Sequence, residues 1–256
     1  MALSESVNKV LRLVEEKTGL PVHVEPDSTL PANLLAKVTV ARGGMPFHRV
    51  GIQAGASAVP DYLIVYQCGF VLRQFSLPPA ERFDFSRTDR AEADVRQWVQ
   101  QNPKTPTMPP EVAANLTVFL FDGILGQLRS IPVGLRVDNW ILNEFPELGS
   151  LQRQAVVKQL DDNAAALRPG VQAMMPDEAL HKNIAMSAAF ALFWADKLKQ
   201  PQITLPYQAS GRLADGRKLL DIWQSIPDEP ANDMKLIDMW ADNLRLGSWY
   251  SWIKAS

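Results

Sequence analysis

A chain of 256 residues, 46% hydrophobic and 21% charged, holds enough apolar material for one sizeable core or two modest ones and too much for a disordered polymer. Its formal net charge is -2, with Lys and Arg scattered and no basic block, which argues against a nucleic-acid footprint. A single cysteine, Cys68, excludes an internal disulfide and any cysteine-rich metal site. Within an apolar segment it reads as a small buried hydrophobe rather than a nucleophile. Residues 1–6 lack a basic region leading into an apolar run, so they do not resemble a signal peptide. No run reaches the ~18 apolar residues of a membrane span; residues 185–195 are apolar but bounded by Lys182 and Asp196. The expectation is a cytoplasmic protein without a membrane segment.

In chain order, Ser4 is placed to cap a first helix with Val7, Val10, Leu11 and Val14 at helical spacing, stopped by Gly19 and Pro21. Three short strand-like runs follow at 21–25, 34–41 and 47–52. Pro26-Asp27 and Gly43-Gly44 are the turn signals between them, and residues 36–42 alternate apolar and polar as a half-wet strand does. Pro60-Asp61 opens a second helix, which Pro78-Pro79 closes. Ser86 is then expected to cap a polar helix ending near Gln101. The stretch 102–110 carries four prolines in nine residues and reads as an extended linker or exposed loop. From Glu111 the pattern is helical, over 111–129, 135–145, 147–168, 177–200, 212–224 and 232–252, with Pro132, Pro146, Pro169, Pro206 and Pro227 dividing the runs. These elements predict an α+β core over 1–101, a proline-rich linker over 102–110 and a helical region over 111–256 packed on the core.

The informative stretch is the second helix, which contains Tyr66-Gln67-Cys68-Gly69-Phe70. In an H-E-x-x-H helix two imidazoles one turn apart grip one zinc ion, and the Glu takes a proton from the bound water. Asp61-Tyr62-Leu63-Ile64, Cys68-Gly69 and Val71-Leu72-Arg73 resemble the surroundings of that motif in the zincin-like metallopeptidases. Tyr66 and Phe70 stand at the two His positions and Gln67 at the Glu position. A phenol of ordinary pKa near 10 is a poor ligand at neutral pH, a phenyl ring cannot ligate, and an amide is no base. The order of helix, three strands and motif helix is also the core order of that fold. The resemblance implies a third-ligand position on a later helix, at Asp138 or Glu144 within 135–146; both acids otherwise read as surface or helix-terminal charges.

Other chemistry is thinly marked. The three histidines, His23, His48 and His181, have no ligand spacing; His48 reads as a strand residue on the wet face and His181 as an early position of a long helix. No G-x-S-x-G occurs, and Gly55-Ala56-Ser57 is a loop fragment. Trp240, Trp249, Tyr250 and Trp252 are dense enough to suggest either a sealed terminal helix or an interface for a partner. The reading is an inactive zincin-like metallopeptidase homologue, with no metal or cofactor, acting as a protein-binding or regulatory module. The alternatives are a structural subunit of a larger assembly and a hydrolase with a relocated site at a His or Cys68. Oligomeric state is open.

Overall fold

The Ser4 hydroxyl accepts from the Val7 N–H and starts helix α1 (Glu5–Thr18), and Gly19 in the left-handed region ends it by bonding back to Glu15. Strands β1 (Val22–Pro26), β2 (Ala36–Thr39) and β3 (His48–Ile52) follow, then helix α2 (Pro60–Phe75) with Pro60 in its first turn. The computed structural model describes residues 3–31, 34–53, 56 and 59–255; Gly55 and Ser57 of the loop fragment lie outside them. The sheet runs β1-β3-β2, parallel between β1 and β3 and antiparallel between β2 and β3. Gly43 and Gly44, both at positive φ, turn the chain between β2 and β3.

Beyond α2 the elements are β4 (Phe83–Arg87), α3 (Asp89–Gln101), α4 (Pro110–Glu144), α5 (Gly149–Ala164), α6 (Pro169–Gln172), α7 (Asp177–Lys197), α8 (Leu205–Ala209), α9 (Leu213–Ser225), α10 (Asp233–Leu244) and β5 (Tyr250–Lys254). The molecule is α+β and predominantly helical. It divides into two compact units, Met1–Phe83 with Arg136–Lys158 and Lys254–Ser256, and Asp84–Leu135 with Gln159–Ile253. The changes of unit fall after Phe83, inside α4, inside α5 and after Ile253.

In the first unit, Val7, Val10 and Val14 of α1 join Val50 of the sheet and Leu63, Ile64, Val65, Cys68 and Val71 of α2 in one core, completed by Val137, Ile141 and Phe145. In the second, α7 is the axis: Ala185, Met186, Ala188, Ala189, Phe190, Phe193 and Trp194 are all buried, and α9 lies against it. Gly216 makes that approach close enough that a Cβ there would sit 2.5 Å from the Ala188 Cβ and 2.7 Å from backbone.

Three local expectations are corrected. Pro132 does not break the helix: α4 runs through it, because Leu128, Ile131, Val133 and Leu135 bury apolar surface on both sides, which outweighs one missing N–H. The joined helix is long and apolar enough to cross a membrane by length and composition, contrary to the sequence reading that cut it in two. Half of its most apolar window is packed inside the protein. Ser86 lies in β4 and Thr88 precedes α3. The stretch after α3 is anchored at its start, where Asn102 is buried, donates to the Met174 carbonyl at 2.9 Å and accepts from the Lys104 N–H; residues 103–110 are exposed or half-buried and include one turn of 3-10 helix.

The third correction is at the C-terminus. Helix α10 stops at Leu244, and Tyr250 and Trp252 stand in β5, paired with β4 rather than on a terminal helix.

The packing of α7 on α9 generates a paired prediction. Gly216→Ala should destabilise the protein by ~1–3 kcal/mol, since the clash is with backbone that cannot swing aside. Gly123→Ala, at a helical position where a Cβ meets nothing within 4 Å, should stabilise by ~0.5–1 kcal/mol. Urea midpoints measure both; equal effects would contradict the packing described.

Candidate functional site in the first unit

Tyr62, Tyr66 and Phe70 recur every four residues and therefore form one stripe along α2. Their rings touch in series, Tyr62 to Tyr66 at 5.7 Å and Tyr66 to Phe70 edge-on at 5.2 Å between centroids. The last turns of α4 lie across this helix at Gly69, where a Cβ would sit 2.4 Å from Val137 Cγ1. That close crossing brings Asp138, next in sequence, to the stripe.

Asp138 is buried, and its Oδ1 accepts from the Tyr62 hydroxyl at 2.8 Å and from Gln152 Nε2 of α5 at 2.9 Å. Gln152 Nε2 also reaches the Asp138 carbonyl at 3.1 Å. Burial pushes the Asp138 carboxyl up to about 7, although both hydrogen bonds pull it down. Burial likewise raises the Tyr62 and Tyr66 phenols well above their ordinary value, and the neighbouring Asp138 charge adds to both. The two tyrosines therefore stay protonated at neutral pH, and Asp138 titrates near it. Of the two predicted third-ligand positions, only Asp138 joins the stripe; Glu144 is exposed at the end of α4. Asp138 corrects its own alternative reading as a surface charge.

Gln67 points the other way, toward the sheet. Leu35 carries a carbonyl bonded to Gln53, so the antiparallel register turns the Ala36 carbonyl and the Val38 N–H outward on the free edge of β2. The Gln67 carboxamide takes both: its Oε1 accepts from Val38 N–H at 3.2 Å and its Nε2 donates to the Ala36 carbonyl at 3.1 Å. A side-chain amide carries one acceptor and one donor in a single plane, which matches an outward pair of backbone groups. A carboxylate lacks the donor.

The other candidates are held by contacts of their own. His48 is fully buried in β3, not on a wet face: its Nδ1 accepts from the Ala41 N–H at 3.0 Å, it meets Phe75 edge-on, and burial lowers its pKa. His23 stacks on Phe47 at 3.8 Å. His181 belongs to the second unit, bonded to Asp215. Cys68 is buried with its thiol pushed up to about 12 by burial, which leaves it no thiolate character. Among the described residues no group of three or more His, Cys, Asp or Glu converges to hold a metal ion. Zinc does not fit the stripe: Tyr66 and Phe70 offer no ligand at neutral pH, and the bonded oxygen of Asp138 is taken by Tyr62 and Gln152.

The aromatic cluster of the second unit is also not a presented surface. Trp240, Trp249 and Tyr250 are buried and Trp252 is half-buried. Phe85 stacks on Tyr250 at 4.3 Å, Asp238 accepts from both Tyr250 and Trp252, and Trp249 donates to Asp94. Gln152 is the site residue that the sequence reading missed; nothing around it marks it, because its role depends on α5 lying beside Asp138. Comparison with protein-family models, with curated proteins and with solved structures returns no significant match to this chain.

Two predictions follow from these bonds. The folded-state pKa of Asp138 lies above its ordinary 3.8, so the native state holds the extra proton between about 4 and 7 and this group's contribution to stability is lost as pH rises through that window. Asp138→Asn keeps an accepting oxygen and has no charge to bury. The variant should gain stability relative to wild type as pH rises from 4 to 8, by ~1.4 kcal/mol for each unit between the two values; parallel urea-stability curves would refute the burial argument.

Gln67→Glu should cost ~1–3 kcal/mol at pH 7, where a carboxylate faces the Ala36 carbonyl, and less at pH 4, where a protonated acid regains a donor. Chemical denaturation at the two pH values measures the difference.

Proposed function

We propose that the first unit is a zincin-like core whose motif helix has become structural, and that the chain works as a binding or regulatory module without peptidase chemistry. Support for the ancestry comes from the order of α1, three strands and α2, and from a later helix that sets a carboxylate beside the motif stripe. The observation that carries the loss of chemistry is the use made of the motif positions. Gln67, at the position of the general base, is spent on clipping α2 to the edge of β2. Tyr66 packs between two rings, and Asp138 is a hydrogen-bond acceptor for Tyr62 and Gln152.

Hydrolysis by this class of site needs an open coordination position and a base. Neither is available from Tyr66, Gln67 and Phe70. The activity that is left to such a core is recognition, and the clipped edge of β2 limits where an extended peptide could add to the sheet. Gel filtration separates this reading from the assembly-subunit alternative, which expects the isolated chain to associate.

The test is metal content. After zinc exposure and desalting, the purified chain should carry no stoichiometric zinc, and the double variant Tyr66→His/Phe70→His should bind one ion per chain, lost again on adding Asp138→Ala. One zinc per wild-type chain, abolished by Tyr66→Ala, would overturn the inactive reading. A folded double variant that binds none would overturn the zincin-like frame.

A further inference from the structure

Within the second unit, a cleft of about 390 Å³ opens between the first turns of α7, the first turns of α9 and the C-terminal end of α10. Its volume lies in the range of small-molecule sites, and its walls are charged rather than apolar. Glu178, His181 and Lys182 come from α7, Asp215 and Lys218 from α9, and Arg245 follows α10.

The groups are ordered by their own contacts. Lys182 is buried along its length, with Nζ 3.0 Å from Glu178 and 4.9 Å from the Trp98 ring centroid. His181 Nε2 meets one oxygen of Asp215 at 3.1 Å, and Lys218 lies 3.6 Å from the other. The Lys182 hydrogen bond, then the charges of Lys182, His181 and Arg245, hold Glu178 below its usual range. Glu178 is thus held in its ionised form, and both carboxylates already have cationic or histidine partners. Three permanent cations against two carboxylates leave the wall net positive, before any charge on His181 is counted.

Arg245 adds an independent observation. It sits at φ +57°, in the region that favours glycine, where a side chain costs free energy that glycine would not. At a helix end glycine is the usual solution, and here an arginine takes its place and lines the cleft. A planar guanidinium beside two ammonium groups is a donor set for the tetrahedral oxygens of a phosphoryl group. Lys182 is buried, so little of its own side-chain freedom remains to be lost on binding, while the exposed Lys218 and Arg245 are free to reach into the cleft.

We propose that this cleft binds a phosphoryl group, as inorganic phosphate or as the phosphate of a small phosphomonoester, with Arg245, Lys218 and Lys182 as its donors. The proposal is independent of the reading of the first unit. The test compares the full-length chain in sodium phosphate with sodium chloride at matched ionic strength and pH 7, by thermal denaturation and calorimetry. Wild type should show a saturable rise in Tm with phosphate alone. Arg245→Gly relieves the left-handed residue, so it folds, and should lose at least tenfold in phosphate affinity; Lys218→Gln should weaken binding severalfold. O-phosphoserine tells the two sources apart: affinity at least tenfold above inorganic phosphate indicates a phosphorylated small molecule, and equal affinity indicates phosphate itself. Equal phosphate responses in wild type and Arg245→Gly, or no response beyond that to chloride, would overturn the assignment.

Discussion

A carboxyl group buried among hydrocarbon is tolerated only where donors reach it, and the first unit meets this condition at Asp138 through residues from two other helices. Tyr62 supplies a hydroxyl from α2 and Gln152 an amide from α5. Because both bonds end on one oxygen, the three helices cannot slide past one another without stranding a polar group away from water, at a cost of order 1–3 kcal/mol. Gly69 makes the arrangement feasible by letting the last turns of α4 come within reach of α2. The price of the burial appears in the raised carboxyl, which makes the helix junction sensitive to pH near neutrality.

On its opposite side α2 is fixed by a second polar tie. Gln67 closes the outward backbone pair of β2, so the helix is pinned to the sheet edge by an amide and to α4 by an acid, with Val65, Cys68 and Val71 filling the apolar space between. An edge strand left open invites pairing with other chains, and the Gln67 amide covers part of this one. The same residues that the proposed ancestry would assign to metal and base are, in this chain, the residues that hold the unit together. Structural use of those positions gives a physical reason for Gln at 67, where Glu would lose the donor.

The second unit follows a different rule. Four of its ring tips are satisfied internally: Asp238 accepts from Tyr250 and Trp252, Asp94 accepts from Trp249, and Trp223 donates to the Pro132 carbonyl. Trp240, Trp249 and Tyr250 are buried, and rings placed so add their apolar area to the core of this unit. The charged cleft between α7, α9 and α10 is the contrasting feature, since its polar groups line open space.

Local rules carried much of this protein in its sequence. Ser4 and Gly19 bound α1, the alternation around Val38 predicted β2, the glycine pair turned the chain into β3, and Pro60 opened α2, because caps, turns and period-two patterns are decided by neighbours along the chain. The four-residue recurrence of Tyr62, Tyr66 and Phe70 likewise announced a stripe. What the chain alone left undecided depended on contacts distant in sequence. Pro132 reads as a break until buried apolar surface on both sides outweighs one lost bond, Trp249 to Trp252 read as helix until β4 pairs with them, and His48 reads as exposed until α2 covers it. Whether Asp138 was a surface charge or the buried centre of a junction could be settled only by the packing of α2, α4 and α5, since burial is a property of the assembled helices and not of any residue's neighbours along the chain.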